Sequence, residues 1–435
     1  MLNKDFMPAY VWVKEFMKEA DEPFTIAVER ENGIVENYET KINTNDTEKS
    51  KFYIERTVKT LLWFYGGFKI YLSGQNEICE YIKQCYSKGG IREFDMDFMA
   101  DVYGEKFEVI ICDKVPNTTE EKSRICIEND GNVVGLDVGA SFIKVCAMSD
   151  GENVYSDRIP WQPTNEEDIS YHTEKIKSAI DNAVQKLGKA DRIGVSSAGV
   201  QIDNTTRVAS LFRNVKDKDK VKNFYKNAAG DIQLTVVNDG DAAAVYGLIQ
   251  TGKRGIFGIS IGSSEAGGYV DKNGTVSGRL NEPEFVPVDF SENSPVSEWS
   301  GDKGCGVNYL SQKAVVRLAP LAGIALSENE TPSQKCYQVQ KLVEKNALPA
   351  IKVYETIGEY LGYALLYYSL FYEFDYIMLT GGVVSGAERE IVIDNAKKVW
   401  SKEKPNEKLN FLEIADNEQS YLNQAVAAAS LKRNN

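Results

Sequence analysis

The sequence predicts an α/β protein of two lobes with an extra N-terminal α/β domain. Apolar stretches of strand length alternate with segments that carry apolar residues at helical spacing, a pattern typical of this class. Two apolar strands far apart in the chain run into glycine turns, one within Gly135–Lys144 and one within Ile377–Gly386. A chain of 435 residues exceeds what one hydrophobic core supports, so we expect two or three domains.

Composition narrows the classes of function. The formal net charge is −14, with 43% hydrophobic and 26% charged residues. This balance is ordinary for a globular enzyme and disfavours non-specific attraction to nucleic acid or anionic lipid. No signal peptide or long apolar span is visible, so we expect a cytoplasmic protein with neither nucleic acid nor membrane as a partner. The seven scattered cysteines indicate reduced thiols, and His172, the only histidine, is expected on the surface.

Residues 1–115 are predicted to form the accessory domain. Its predicted elements are a strand pair at 24–29 and 34–42, helices at 47–65 and 76–87, and strands at 68–72, 94–102 and 107–112. This order loosely repeats that of the next lobe, so the domain is either a duplicated lobe that lost its phosphate grip or an unrelated α/β domain. A polar linker is expected at 116–131.

The rest of the chain is predicted to form the two lobes. Its predicted elements are a hairpin at 132–148, helices at 168–187, from 241 and at 351–372, and strands at 192–199, 234–240 and 256–261. We expect residues 132–238 together with 416–435 to form a small lobe, and residues 239–415 to form a large lobe.

Four motifs follow one another in a specific order. They are Gly135–Ser141, Val236–Ala244, Gly258–Gly268 and Asp375–Gly386. In this order, residues 132–435 resemble the sugar kinases of the ROK family (repressor, open reading frame, kinase), within the larger actin and hexokinase group. The resemblance implies a two-lobed actin-like ATPase fold of the ribonuclease H-like type, with ATP and Mg²⁺ between the lobes.

The first motif resembles the first phosphate loop of that family. A glycine turn at Gly139 presents backbone N–H groups to phosphate without a side chain in the way, and Ser141 adds a hydroxyl donor. Asp137 is expected to hold Mg²⁺ through water, because magnesium keeps much of its hydration shell. Strand alternation lets Lys144 face the cleft or solvent, of which solvent is the more common.

The second motif resembles the catalytic turn of the family. Transfer of a phosphoryl group to a hydroxyl requires a carboxylate within hydrogen-bond reach of that hydroxyl, and Asp239 follows the strand end. We therefore predict Asp239 as the general base, and Asn238 as a ligand of other sugar hydroxyls. An aspartate before a helix is also a common N-cap, and we assign that role to Asp241.

The third motif resembles the second phosphate loop but departs from it. Ser264 and Glu265 stand where the family has glycine, and Glu265 would repel a triphosphate unless it points away or meets the metal. The predicted cradle residues of this loop are Gly262, Ser263, Gly267 and Gly268. The fourth motif resembles the adenosine loop and predicts nucleotide contacts at Gly381 and Gly382.

The sugar contacts are predicted from position. Asn214 is either a hydroxyl ligand or a loop-capping residue, and Glu282 or Glu284 replaces the sugar-binding glutamate of the family. The zinc motif of the family is absent, because Glu298–Gly306 contains a single cysteine and no histidine, so no zinc is expected. This segment forms either a pocket wall or a plain turn.

The sequence therefore predicts an ATP- and Mg²⁺-dependent sugar kinase, for which a homodimer is left open. Two alternatives on the same fold are a sugar sensor of weak or no catalytic activity, and an ATPase that energises a partner protein. The altered second phosphate loop motivates the sensor alternative.

Overall fold

The computed structural model describes residues 1–119, 125–208, 210–414 and 422–433. The helices in this part of the chain are α1 (Ala9–Phe16), α2 (Thr47–Tyr65), α3 (Asn76–Cys85), α4 (Glu93–Tyr103), α5 (Ile169–Leu187), α6 (Lys218–Lys222), α7 (Phe224–Ala229), α8 (Asp239–Thr251), α9 (Gln312–Leu321), α10 (Pro332–Glu344), α11 (Leu348–Tyr368), α12 (Glu388–Glu403) and α13 (Asn423–Ala429). The strands are β1 (Glu22–Arg30), β2 (Ile34–Ile42), β3 (Lys69–Ser73), β4 (Glu108–Ile111), β5 (Ile125–Ile127), β6 (Asn132–Val138), β7 (Phe142–Ser149), β8 (Glu152–Pro160), β9 (Arg192–Ser197), β10 (Val200–Ile202), β11 (Thr205–Val208), β12 (Gln233–Asn238), β13 (Ile256–Ile261), β14 (Glu265–Val270), β15 (Tyr376–Thr380), β16 (Asn410–Phe411) and β17 (Leu431–Arg433).

Three sheets organise the molecule. The N-terminal sheet has the order β2-β1-β3-β4, the next β12-β9-β6-β7-β8, and the last β14-β13-β15-β16. This arrangement confirms the predicted α/β class with an extra N-terminal α/β domain. Strand β3 runs antiparallel to β1, whereas β9 runs parallel to β6. The N-terminal sheet thus differs in topology from the sheet that follows it, which favours an unrelated accessory domain over a duplicated lobe.

Most accessory elements lie where the pattern places them, but α4 does not. The strand predicted at 94–102 is wrong, because this segment lies in helix α4. The buried positions are Asp95, Met99, Val102 and Tyr103, which follow helical spacing. The helical spacing of apolar residues is hard to see in the sequence, because the buried face of α4 includes Asp95, and a buried aspartate is rare without a buried partner.

The accessory domain shares one hydrophobic core with the last sheet. Phe6 packs against Tyr360 with ring centroids 4.7 Å apart, and Phe64 lies 5.0 Å from Tyr368 in an edge-to-face contact. A single cluster of buried side chains runs from α1 and α2 through α9 and α11 to α12. The middle sheet and α5 enclose a separate core.

The closing helix α13 packs across the middle sheet. A Cβ atom at Gly135 or Gly194 would overlap the backbone of Ala425 or Ala428. Small residues on both sides therefore let helix and strands approach closely. The alanine-rich segment 418–430 resembles the closing helix of the ROK family, and its first residues lie outside the described part of the chain.

His172 corrects a prediction. It is fully buried rather than exposed, and its ring nitrogens lie 3.1 Å from the carbonyl oxygen of Asp168 and 2.9 Å from that of Pro163. Helix α5 packs on β7. A position at the start of a helix does not by itself show which side of the helix is buried, and here His172 lies on the buried side. Across the described ranges, no helix combines the length and apolarity that crossing a lipid bilayer requires.

Candidate active site

Parallel pairing brings the first two predicted motifs to one sheet edge. In the register of β6, β9 and β12, Val138 pairs with Ser197, and Ser197 pairs with Asn238. Neighbouring strands lie about 4.8 Å apart, so Val138 and Asn238 are on the order of 10 Å apart. Asp137 and Asp239, one residue from these positions, therefore belong to the same end of the sheet.

Asp239 is the first residue of α8, and its setting alters its acidity. Removal from water raises its pKa to about 6, and the neighbouring charge of Asp137 adds to that rise. This effect of Asp137 agrees with the sheet register, which brings the two carboxyl groups to the same end of the sheet. A carboxyl group with a pKa near neutrality is suited to exchanging a proton with a substrate.

Asn238, rather than Asp241, caps this helix. The Asn238 carboxamide oxygen accepts a hydrogen bond from the Gly240 N–H at 2.6 Å, and its NH₂ group donates to the Gly199 carbonyl at 3.0 Å. The predicted capping role of Asp241 is therefore wrong. Asp241 is buried, where it accepts from the Tyr269 N–H at 3.0 Å and from the Asn281 side chain at 2.9 Å.

Lys144 faces Asp137 instead of solvent. The two residues are direct partners in the β6–β7 hairpin, and the ammonium nitrogen lies 2.6 Å from the Asp137 carboxylate. Burial raises the pKa of Asp137 even though Lys144 opposes that rise. The pair puts a cation beside the first glycine turn, where a phosphate would need one.

The glycines of the predicted nucleotide site fall into two groups. A Cβ atom at Gly139 would come no closer than 3.4 Å to the protein, one at Gly262 no closer than 3.8 Å, and one at Gly382 would meet nothing within 4 Å. Packing does not require glycine at these turns, so the space they leave suits a closely held phosphate. The residues present therefore leave room for the phosphates of a bound ATP at these three turns.

The other predicted glycines have a packing role. A Cβ atom at Gly268 would overlap the backbone of Gly240, and one at Gly267 would press on Pro283. Gly381 has φ +106° and abuts the backbone of Ile261. Close packing of β14 on the first turn of α8 thus accounts for Gly268, whereas contact with Pro283 and the Asn281 carbonyl accounts for Gly267. The packing at Gly268 holds the first turn of α8, and with it Asp239, in place.

Glu265 is buried at the edge of the cleft, where Tyr368 of α11 binds its carboxyl group. The Tyr368 hydroxyl donates to its carboxylate at 2.8 Å, and burial raises the pKa of Glu265 to about 8. A neutral carboxyl directed into the core does not repel a triphosphate, so the expected repulsion is absent. Ser264 donates a hydrogen bond to Glu284, which ties this loop to the predicted sugar-binding segment.

A cleft of about 460 Å³ opens beside Asp239. Its lining includes Asn238, Gly262, Ser263, Glu282 and Glu284 from the predicted set. Burial raises the pKa of both glutamates, and their mutual proximity raises that of Glu282 further. The structure thus gathers the predicted base, one phosphate loop and the predicted sugar ligands around one cavity.

Asn214 is not brought to this cleft. Its side chain is exposed and donates to the Thr164 carbonyl at 2.6 Å. Of the two roles that the sequence left open, the geometry supports loop capping.

Several cleft residues were not predicted as ligands. Phe98 of the accessory helix α4, Phe285 and Lys313 all line the cavity, as does Trp299, which is 68% exposed. Of these, only Trp299 could be connected with the cleft from the sequence, because it is an aromatic residue within Glu298–Gly306, the segment interpreted as a pocket wall or a plain turn. The side chain of Phe98 could not be assigned because it reaches the cleft through tertiary packing alone.

Among the described residues, no group of three or more His, Cys, Asp or Glu side chains forms a metal cluster. The donor set fits a hard cation that keeps most of its water, because Asp137 offers oxygen ligands next to the phosphate turn.

Comparison with known proteins agrees with the fold. Residues 133–423 match the ROK family model, and the chain belongs to the ROK family. The ROK hexokinase from Thermus thermophilus is similar, with 17% identity and a TM-score of 0.54 over 68% of this chain and 96% of that one. A ROK transcriptional regulator, a homologue of the E. coli MLC protein, has 15% identity and a TM-score of 0.52 over 69% of this chain and 77% of that one.

A third solved structure is a ROK glucokinase from Streptomyces griseus in complex with glucose and AMPPNP. It has 19% identity and a TM-score of 0.49 over 69% of this chain and 98% of that one. No curated protein sequence matches the chain. The family match and the first two structures, a hexokinase and a transcriptional regulator, agree with the predicted actin-like ATPase fold.

Proposed function

We propose that the protein transfers the γ-phosphoryl group of ATP to a hydroxyl of a sugar, with Asp239 as the general base. The observation that carries this proposal is the position of Asp239, which lines the cleft beside an open glycine turn and has a pKa of about 6. At neutral pH such a carboxyl is mostly ionised and still basic enough to take a proton in the transition state.

The reaction is an in-line displacement. The sugar hydroxyl oxygen forms a bond to the γ-phosphorus while its proton moves to the Asp239 carboxylate. The bond from the γ-phosphorus to the bridging oxygen breaks, and its electron pair stays on the β-phosphate of ADP. Lys144 and the amides of the turns at Gly139 and Gly262 would stabilise the charge on the transferring oxygens.

ATP would lie along the open turns at Gly139, Gly262 and Gly382, and Asp137 would hold Mg²⁺ through water. Bound Mg²⁺ neutralises part of the phosphate charge. Lys144 pairs with Asp137 at 2.6 Å, so its ammonium group would lie close to both the Mg²⁺ ligand and the phosphate turn.

The acceptor fits an uncharged sugar or sugar derivative. Four carboxylic residues, Asp239, Glu265, Glu282 and Glu284, line the cleft, whereas Lys313 is its one lysine among the described residues. The carboxylate of an acidic sugar would add a further negative charge beside Asp239 and these buried carboxyl groups, which is unfavourable. Phe98, Phe285 and Trp299 offer rings on which the apolar face of a sugar can stack.

The test is an ADP-release assay over neutral hexoses, amino sugars and sugar acids. For Asp239→Asn we expect kcat to fall by about 10²–10⁴-fold, the usual range for loss of a general base, with sugar and ATP binding retained. Asp219→Asn is the matched control, because its side chain is 89% exposed. Full phosphoryl transfer by Asp239→Asn would overturn the proposal.

The orientation of Glu265 weighs against the sensor alternative. That alternative arose from the expected repulsion at the second phosphate loop, and the carboxyl is instead bound by Tyr368. Sugar binding in calorimetry without ATP binding would nevertheless favour the sensor.

A further inference from the structure

The accessory domain reaches the acceptor end of the cleft through α2 and α4. Phe98 of α4 lines the cavity beside Phe285. Trp63 of α2 stacks on Phe285, with ring centroids 3.9 Å apart and 22° between the ring planes, and lies 4.8 Å from Phe98. These three rings form one continuous aromatic wall, which belongs partly to the accessory domain.

The last turn of α2 also holds the segment that carries the predicted sugar-binding glutamates. The carbonyl of Trp63 accepts from the Glu282 N–H at 2.9 Å, and that of Phe64 accepts from the Asn281 N–H at 3.0 Å. Carbonyl groups at a helix C-terminus lack partners within the helix. Here the backbone of the cleft segment satisfies them.

A buried ion network joins the same two helices to the loop Ser297–Asp302, of which Ser297 and Trp299 line the cleft. Arg56 binds the Asp302 carboxylate through two nitrogens at 3.0 and 3.2 Å. Arg92 lies 2.7 Å and Lys59 3.5 Å from the same carboxylate. Burial alone would raise the pKa of Asp302, but the three cations hold it well below its usual range.

The network is balanced only when Asp302 is included. Its cations are Arg56, Lys59 and Arg92, and its carboxylates are Glu55, Asp95 and Asp302. Lys59 is 0% exposed. Without Asp302, the accessory domain would keep one uncompensated buried cation, which is strongly unfavourable.

We propose that the accessory domain is a structural part of the acceptor site. Arg56, Lys59 and Arg92 act as positioning residues that hold the loop Ser297–Asp302 at the cleft, and Phe98 supplies one wall. The acceptor role rests on the proposed function, whereas the anchoring of the loop does not depend on it.

Amide hydrogen exchange on the full-length protein tests the anchoring without ATP or sugar. The N–H groups of Ser297, Gly301 and Gly304 are hydrogen-bonded within this region. We expect Asp302→Asn to speed their exchange by at least about tenfold, while exchange in β13 stays unchanged. Unchanged exchange in a folded Asp302→Asn would overturn the proposal. If that variant does not fold, Arg56→Gln takes its place, because Arg56 is 11% exposed.

The acceptor role is tested by kinetics in the same ADP-release assay. We expect Phe98→Ala and Asp302→Asn to raise KM for the sugar by about tenfold or more, because the wall is displaced, and to leave KM for ATP unchanged. Asp302→Glu should recover part of the loss. Lys51→Gln is the control, because Lys51 lies on α2 and pairs only with Glu48 and Glu77 among the described residues.

An equal rise in both KM values, or no rise in either, would overturn the acceptor role. If no sugar is phosphorylated by the wild-type protein, the proposed function fails, and the exchange measurement still decides whether the accessory domain anchors the loop.

Discussion

At the scale of single residues, the proposed proton transfer depends on the pKa values of Asp239 and Asp137, which lie at the same end of one sheet. Burial raises the pKa of both carboxyl groups, and the charge of Asp137 raises that of Asp239 further. Lys144 offsets part of this cost at Asp137. The result is one ion-paired carboxylate beside the phosphate turn and one carboxyl group of raised pKa at the cleft.

We predict an acid limb in the pH profile of turnover. A general base with a pKa of about 6 is protonated below that pH and cannot accept a proton from the sugar. The value of kcat/KM for the sugar should fall by about tenfold for each pH unit below the pKa and level off above neutral pH. Recovery of activity after return to neutral pH is the control. A profile that stays flat well below pH 6 would contradict the role of Asp239.

At the scale of elements, close packing of α8 on β14 directs Asp239 into the cleft. The first turn of α8 approaches the backbone of β14 so closely that neither Gly240 nor Gly268 has room for a side chain. Gly139, Gly262 and Gly382, at the three open turns, have room for a side chain. The same residue type therefore serves packing in one place and ligand access in the other.

We predict that two alanine substitutions affect different properties, one the stability of the protein and the other its use of ATP. Gly268→Ala forces a methyl group into the backbone of Gly240 and should cost about 1–3 kcal/mol of the free energy of unfolding. Gly382→Ala meets nothing within 4 Å, so its stability should be close to that of the wild type while KM for ATP rises. Urea denaturation and ATP kinetics measure both. A stable Gly268→Ala, or unchanged ATP kinetics in Gly382→Ala, would contradict this division.

At the scale of the whole molecule, several buried carboxyl groups make stability depend on pH. The pKa is raised to about 6 for Asp239, about 7 for Asp241 and about 8 for Glu265. In each case the folded state keeps its proton to a higher pH than the unfolded state. The free energy of unfolding should therefore fall as pH rises from about 4, the usual pKa of carboxyl groups, to about 8.

Glu265→Gln should reduce this dependence. The amide keeps the size of the side chain and can still accept from the Tyr368 hydroxyl, but it does not titrate. Between pH 6 and pH 8 the variant should gain stability relative to the wild type, by up to about 1.4 kcal/mol per pH unit. Urea denaturation at both pH values measures this difference. Parallel pH dependence in the two proteins would contradict the buried, protonated state of Glu265.

The shared core predicts that the accessory domain is not separable. Because Phe6 and Phe64 pack on Tyr360 and Tyr368, removal of residues 1–115 would expose a large apolar surface. Residues 116–435 expressed alone should be insoluble or unfolded, as judged by solubility and circular dichroism. A soluble fragment with cooperative unfolding would show that the core of the last sheet closes by itself.

Much of the fold could be predicted because its signals are local. The helix at 47–65 and the hairpin at 132–148 carry regular apolar periods and turn residues, which depend only on neighbours in the chain. Asp239 could be proposed for the same reason, since it stands where a strand meets a helix. The Asp137–Lys144 pair was within reach, because the hairpin register places the two residues opposite each other.

Other features required contacts between distant segments. The sequence does not show that Lys59 and Trp63 bind Asp95, at 2.7 and 2.6 Å, and therefore that Asp95 lies on the buried face of α4. Asp241 was interpreted as a helix cap from its position before a helix. The sequence does not show its actual partners, which lie on β14 and in the segment before Glu282.

The amino-acid order alone determined the α/β class, the order of the motifs and the identity of the candidate base. Only the tertiary structure decided which way Glu265 points, what caps α8 and which domain lines the cleft. The physical reason is that backbone periodicity and turn geometry are set by residues close in the chain. The direction and ionisation of a buried polar side chain are set by partners that folding brings from far away.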